Sequence, residues 1–317
     1  MTNTTTGTHY QAATGSALQV AIDEATSGDT LRIRGRCIGV FEIGGKSLTL
    51  VGVATPRYPV PSLDADAAND HVVTVTSTGV VRFDDLAITG SDCTQCQGGG
   101  IFNSGFVTLV GSAQVISNTA TVGGGIYNEL SGTVVLRNAA SVSGNTAELS
   151  GAGVLNLGTV RLRGSSSLTL NAAGSVGAGI AGTGAVTLND SSSINGNVAD
   201  VNGGGIFSGG SVTLNDQASV SGNTAAGTGG GILTGNEGTV TLRGSSSVDG
   251  NEAGTDGGGI YNNGSAVTVN GTSVITGNTA GTQGGGVFNT GGGTVTLNDS
   301  GAISGNTAPS CPDVYPC

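Results

Sequence analysis

The chain has 317 residues, 60 of them glycine and only 6 proline, and its 10 basic and 21 acidic residues give a net charge of −11. Scarce proline excludes collagen and Pro-rich disorder, and the acidic balance excludes an electrostatic grip on nucleic acid. No apolar run reaches the length of a membrane span, and the start lacks the cationic and apolar segments of a signal peptide.

In chain order, Ser16 reads as the N-cap of an amphipathic helix over residues 17–25, closed by Gly28-Asp29. Strand signals follow at 30–33, 47–51, 71–76, 80–83 and 86–89. Residues 55–70, with Pro56, Pro59 and Pro61, read as the longest irregular loop. The same stretch carries Asp64, Asp66 and Asp70, as a calcium loop does. It lacks the glycine and glutamate that complete a helix–loop–helix calcium site. A structural calcium is therefore the lesser reading, and the expectation is no metal and no cofactor.

Five cysteines divide into a local pair at Cys311 and Cys317, a closer pair at Cys93 and Cys96, and Cys37 left over. The terminal pair is expected to bond. The Cys93–Cys96 pairing is the lesser expectation, because so short a gap strains a disulfide outside a turn. Such usage fits an oxidising compartment. The only histidines, His9 and His71, leave a zinc site short of ligands.

From Gly98 onward one pattern recurs eight times: Gly-Gly-Gly-Ile-aromatic-Asn, then Thr-Val-Thr-Leu, then Ser-Val-Ser-Gly-Asn-Thr-Ala. The anchors are Ile101, Ile126, Val154, Ile180, Ile206, Ile232, Ile260 and Val287, spaced 25, 28, 26, 26, 26, 28 and 27 residues apart. Each repeat holds three strand signals with alternating apolar residues, so one side faces in and the other faces solvent. No helical period appears. The predicted fold is all-β: a right-handed, single-stranded parallel β-helix with three sheets and about ten or eleven coils of ~4.8 Å. Residues 1–97 form the cap helix and irregular first coils, 98–308 the eight regular coils, and 309–317 a C-terminal cap. Glycine suits the sharp corner before the first strand. Asn118, Asn145, Asn171, Asn197, Asn223, Asn251, Asn278 and Asn306 end the third strand of every repeat. A buried corner asparagine bonds its turn backbone and its stacked copies, so these eight read as a structural ladder.

The coils resemble the pectin-lyase-like β-helix superfamily. Gly-Gly-Gly-Ile-Tyr-Asn at 257–262 and Ser-Gly-Asn-Thr-Ala at 221–225 resemble the polymorphic-outer-membrane-protein repeats of bacterial surface proteins. The resemblance implies a secreted or cell-surface location. It also implies, where the superfamily is enzymatic, lyases or hydrolases acting on acidic polysaccharides. Fold alone carries no chemistry.

Three features compete for function. Stacking sets Arg137 beside Arg163 and Asp190 beside Asp216 in the turn after the second strand, with Arg161 two residues back. Such a cluster on neighbouring coils fits a polysaccharide lyase or glycoside hydrolase, although Asn-Asp and Arg-Gly are also ordinary turn residues. An outward stripe carries Phe102, Tyr127, Phe207, Tyr261 and Phe288, with Leu155, Ala181 and Leu233 between them. It reads as a contact face for a polysaccharide or protein surface, unless a loop covers it. A second stripe carries Thr108, Thr187, Thr213, Thr241, Thr268 and Thr296, interrupted at Val135 and Arg161, and gives ice binding as a third reading. An active site usually breaks a repeat with inserted loops and clustered ionisable groups. These repeats are nearly uniform, so the leading expectation is a non-enzymatic extracellular β-helix that displays a long face.

Overall fold

A computed structural model of the chain describes residues 1–10, 15–235 and 238–317. The chain winds as a parallel β-solenoid of about ten turns with three sheets. The first sheet, with 11 strands, holds the Gly-Gly-Gly-Ile strands and runs from Phe41–Ile43 to Val314–Tyr315. The second, with 12, holds the Thr-Val-Thr-Leu strands. On the third side each coil contributes two short strands that meet at the corner asparagine, such as Ser219–Ser221 and Thr224–Ala225. The single strand predicted there is therefore split, because the residue before the asparagine, glycine in most coils and Ser117 or Leu170 in two, turns the backbone at positive φ.

The predicted register holds throughout. Anchors pair Ile101 with Ile126, Ile126 with Val154, and so on to Val287. Each inward residue thus lies on a similar residue one coil away, and Leu31, Leu50, Phe83, Leu109 and Leu136 form one fully buried column. Parallel pairing by slanted, evenly spaced hydrogen bonds closes the backbone of one coil on the next.

The first coils are more regular than their sequence suggests. Arg36–Ile38, Phe41–Ile43 and Ser62–Ala68 are strands in register with those that follow. The expected 55–70 loop is overturned in its second half. Leu63 is buried there, and Asp64 and Asp66 both bind the Arg36 guanidinium of the preceding coil. Burial pushes the Asp64 carboxyl up, but Arg36 and the Asp66 N–H outweigh it and hold it below the usual range. Of the three carboxylates read as a calcium loop, Asp64 and Asp66 serve this ion pair and Asp70 accepts from the His71 N–H.

The helix spans Gly15–Glu24, so Ser16 stands in its first turn rather than capping it. Leu18, Ala21 and Ile22 bury against the end of the core, covering apolar layers that would otherwise meet water. Lys46 Nζ donates to the carbonyls of Ile22, Asp23 and Ala25 at 2.9–3.0 Å, satisfying the helix C-terminus. At the other end, Val314–Tyr315 adds a last strand to the first sheet. Cys311–Cys317 and Cys93–Cys96 are both bonded, and Cys37 is free and buried.

Candidate functional site

The outward column of the first sheet runs in register through Phe102, Tyr127, Leu155, Ala181, Phe207, Leu233, Tyr261, Phe288 and Tyr315. Parallel in-register stacking places like on like, so the rings pile face to face. Phe102 and Tyr127 lie 5.3 Å apart at 9°, Tyr261 and Phe288 5.0 Å at 16°, and Phe288 and Tyr315 4.6 Å at 2°. These distances fall in the favourable range for aromatic pairs. The stripe is half-buried rather than fully outward. Phe102, Phe207, Tyr261 and Phe288 keep an exposed part, while Tyr127 and Leu233 are 9% exposed. The corner backbone causes this: a Cβ on Gly98 would touch Tyr127 Cβ, and one on Gly229 would touch Leu233 Cβ. Burial raises the phenol pKa of Tyr127, with help from Glu129, and of Tyr261, with help from Asp256. Both therefore stay neutral donors.

The column continues past its last ring toward the N-terminal end. Phe102 pairs with Thr74, and Thr74 pairs with Glu42. There the helix, tied by the Gln19 side chain to the Glu42 backbone, and the first coils border an open cleft of about 730 Å³, lined among others by Gln19, Asp23, Glu42, Asp70, His71 and Thr74. His71 lies 5.3 Å from the Phe102 ring, and its Nδ1 is 2.9 Å from the Gly98 carbonyl. A carbonyl only accepts, so Nδ1 carries the proton and a neutral ring keeps Nε2 as an acceptor. Sequence reading missed this cleft. Its signal was the Val73-Thr74-Val75 strand, an anchor strand without its glycine triplet.

The arginine–aspartate cluster is placed as stacking predicts, on exposed turns. Arg137, Arg163, Asn189 and Asn215 form one column, each backbone N–H bonded to the leucine of the coil before. Arg161 lies in another, between Val135 and Thr187. Asp190 and Asp216 share a third column with Asn138, Gly164 and Gly244, and all five have φ between 59° and 74°. That left-handed conformation selects Gly, Asn and Asp. Asp190 Oδ2 accepts the Gly164 N–H at 2.8 Å, and Asp216 Oδ2 accepts the Asp190 N–H at 3.0 Å. Each carboxylate fastens the turn of the preceding coil. Among the described residues the ion pairs are Arg36 with Asp64 and Asp66, and Arg82 with Asp84, so none joins this cluster.

The threonine stripe lies in register from Thr187 through Thr213, Thr241 and Thr268 to Thr296. Val135 and Arg161 interrupt it as expected. The asparagine ladder is continuous: Asn118 donates through Nδ2 to Asn145, and each member to the next as far as Asn306, at 2.9–3.1 Å. A second ladder, not anticipated, lies two residues after the anchors. Asn103 donates to Asn128, Asn128 to Asn156, and Asn262 to Asn289, at 2.7–2.8 Å. Gly182, Ser208 and Thr234 interrupt it.

Comparison with known protein families, curated proteins and solved structures finds no match for this chain. Among the described residues, no helix is long and apolar enough to cross a membrane.

Proposed function

We propose that the chain is a non-enzymatic secreted or cell-surface solenoid that presents the outward face of its first sheet to a carbohydrate or protein surface. The observation that carries this reading is the pair of aromatic stacks, Phe102–Tyr127 and Tyr261–Phe288–Tyr315, on one column of a rigid wall. Aromatic rings held in place by stacking offer contact area at low entropic cost, and a flat ring edge or face suits sugar C–H groups and protein side chains alike. The secreted location and the kinship with bacterial surface proteins rest on composition and on repeat resemblance.

The reading is tested by affinity electrophoresis in gels containing polysaccharides and by binding to immobilised cell-surface protein. Retardation that falls in the Phe102→Ser, Phe288→Ser double variant supports display. The rival is a polysaccharide lyase or glycoside hydrolase worked by Arg137, Arg161, Arg163, Asp190 and Asp216. Polysaccharide cleavage that Asp190→Ala abolishes would replace display with that enzyme. The use of Asp190 and Asp216 to hold turn backbone favours the display reading.

A further inference from the structure

We infer that the cleft between the N-terminal helix and the first coils is a binding subsite for a cationic amino sugar, the end residue of a glycan lying along the aromatic column. This rests on the display reading above and narrows its partner to one chemical class.

The placement comes first. The cleft is no separate depression but the end of the aromatic column. Glu42 and Thr74, on its floor, stand in register with Phe102, and the His71 ring lies against the Phe102 ring. A chain of sugars running over the exposed part of Phe102 is thereby delivered to the cleft mouth. About 730 Å³ is ample for a monosaccharide and lies in the usual range for ligand pockets.

The lining then selects charge. Asp23, Glu42 and Asp70 put three carboxylates around the cleft. Lys46 also lines it, but its ammonium is held by three helix carbonyls. Asp23 takes a bond from Gln19 and Asp70 one from the His71 N–H. The Glu42 carboxylate has no hydrogen-bond or ion-pair partner among the described residues. Hydrogen bonds to neutral carbonyls leave Lys46 its charge, so the lining carries three carboxylates against one ammonium, a net negative balance that disfavours uronic acids and sulfated sugars. It favours a ligand that brings N–H donors and positive charge. The whole-chain charge of −11 acts in the same direction on approach. Acidic polysaccharides, the ligands that the superfamily resemblance implies, are the wrong sign for this cleft.

The test is isothermal titration of the full chain with three hexamers: glucosamine, N-acetylglucosamine and galacturonic acid. The glucosamine hexamer should bind, weakening as salt rises. The N-acetylated hexamer should bind more weakly, and the galacturonic acid hexamer not at all. Glu42→Gln with Asp70→Asn should lower glucosamine-hexamer affinity by roughly tenfold or more, the size of one lost charge-assisted contact. Both side chains are exposed, so an unchanged melting temperature checks that the variant is folded. Equal binding of all three hexamers, or wild-type affinity in the double variant, overturns the subsite. If only Phe102→Ser, Phe288→Ser weakens binding, the cleft inference fails and display stands. If only the cleft variant weakens it, the cleft binds an amino sugar by itself and the display reading, with the glycan path along the column, fails.

Discussion

Asn306 Nδ2 donates to Asp313 Oδ1 at 3.1 Å, and the Asn306 backbone N–H reaches the same oxygen at 3.2 Å. These are the two bonds every other ladder asparagine makes to the asparagine of the following coil, so the tail ends the ladder with a carboxylate in the next asparagine's place. At the opposite end the Ser91 N–H donates to Asn118 Oδ1. The ladder is thus one directed chain of amides with defined ends. Asp313→Ala should leave the Asn306 donors short of an acceptor and loosen the last coil. Hydrogen exchange should quicken around Asn306 and Val314 while residues near Asn197 keep their protection.

Within the ladder the cost should be larger. Asn197 is fully buried, donates to Asn223 and Leu168, and accepts from Asn171. Asn197→Leu removes partners from both neighbours and should cost about 1–3 kcal/mol or more. Asn189 is half-buried, and among the described residues its side chain bonds Leu162 and Asn215 only. Asn189→Leu should therefore lower the melting temperature less, and equal melting temperatures for the two variants contradict the assignment.

Asp190 offers a separation of turn from catalysis. Its φ of 59° admits glycine freely and a β-branched residue poorly. Asp190→Val should destabilise by about 1–2 kcal/mol from the left-handed strain alone, with the lost Gly164 bond in addition. Asp190→Gly should cost less than Asp190→Val despite losing the same carboxylate. A catalytic carboxylate would instead give equal loss of activity in both variants, since either replacement removes it completely. Thermal melts of the two variants, run beside a cleavage assay, decide the point.

The repeat, its register and the Asn118-to-Asn306 ladder were legible because stacking turns a sequence period directly into a column. What was hidden follows from the same rule. Ser62–Ala68 looked like a loop because Pro56, Pro59 and Pro61 crowd its approach and strands rarely carry aspartate, and only the Arg36 side chain one coil away explains Asp64 and Asp66. The cleft was illegible because Gln19, Glu42 and Thr74 belong to three different elements whose period is degenerate. Their meeting depends on the pairing of Phe41–Ile43 with Val73–Val75. The second ladder was written in Asn103, Asn128, Asn156, Asn262 and Asn289, but residues 182, 208 and 234 break its run.

The N-terminal end should be acid-sensitive. Hydrogen bonds from Asn3 and from the Thr26 backbone hold the Asp29 carboxyl below its usual pKa. A carboxyl lowered in the folded state stabilises fully above its unfolded value of about 3.9, and that contribution is lost as pH falls through the folded value. Protection of the Thr2–Asn3 strand should therefore fall on acidification below about pH 4. In Asp29→Asn that stretch should be less protected at neutral pH and nearly insensitive to acid. A wild-type strand whose protection does not change down to about pH 2 contradicts this role.

The glycine triplets make the sharpest comparison, because their three positions do different things. The first glycine of every triplet has positive φ, from 60° at Gly284 to 80° at Gly98. The central position is more permissive: Ala152 and Ala178 occupy it, packed with Ala147, Ala173 and Ala199 in a small buried cluster. The third is glycine in all eight coils. A Cβ at Gly205 would lie 2.6 Å from the Gly231 carbonyl oxygen and 2.9 Å from Asn223 Nδ2. It would press on the next coil's backbone and on a ladder amide at once, and neither can move without breaking a hydrogen bond. A Cβ at Gly204 would also meet backbone, at Thr224 and Gly230. The coils around Ala152 and Ala178 show that small shifts accommodate a methyl at that position. Gly205→Ala should therefore cost about 1–3 kcal/mol, as overpacking does, and Gly204→Ala clearly less. The two variants differ by one position and carry the same added methyl, so helix propensity, charge and composition cancel. A chemical-denaturation midpoint that drops further for Gly204→Ala than for Gly205→Ala would place the ladder on the wrong side of the corner.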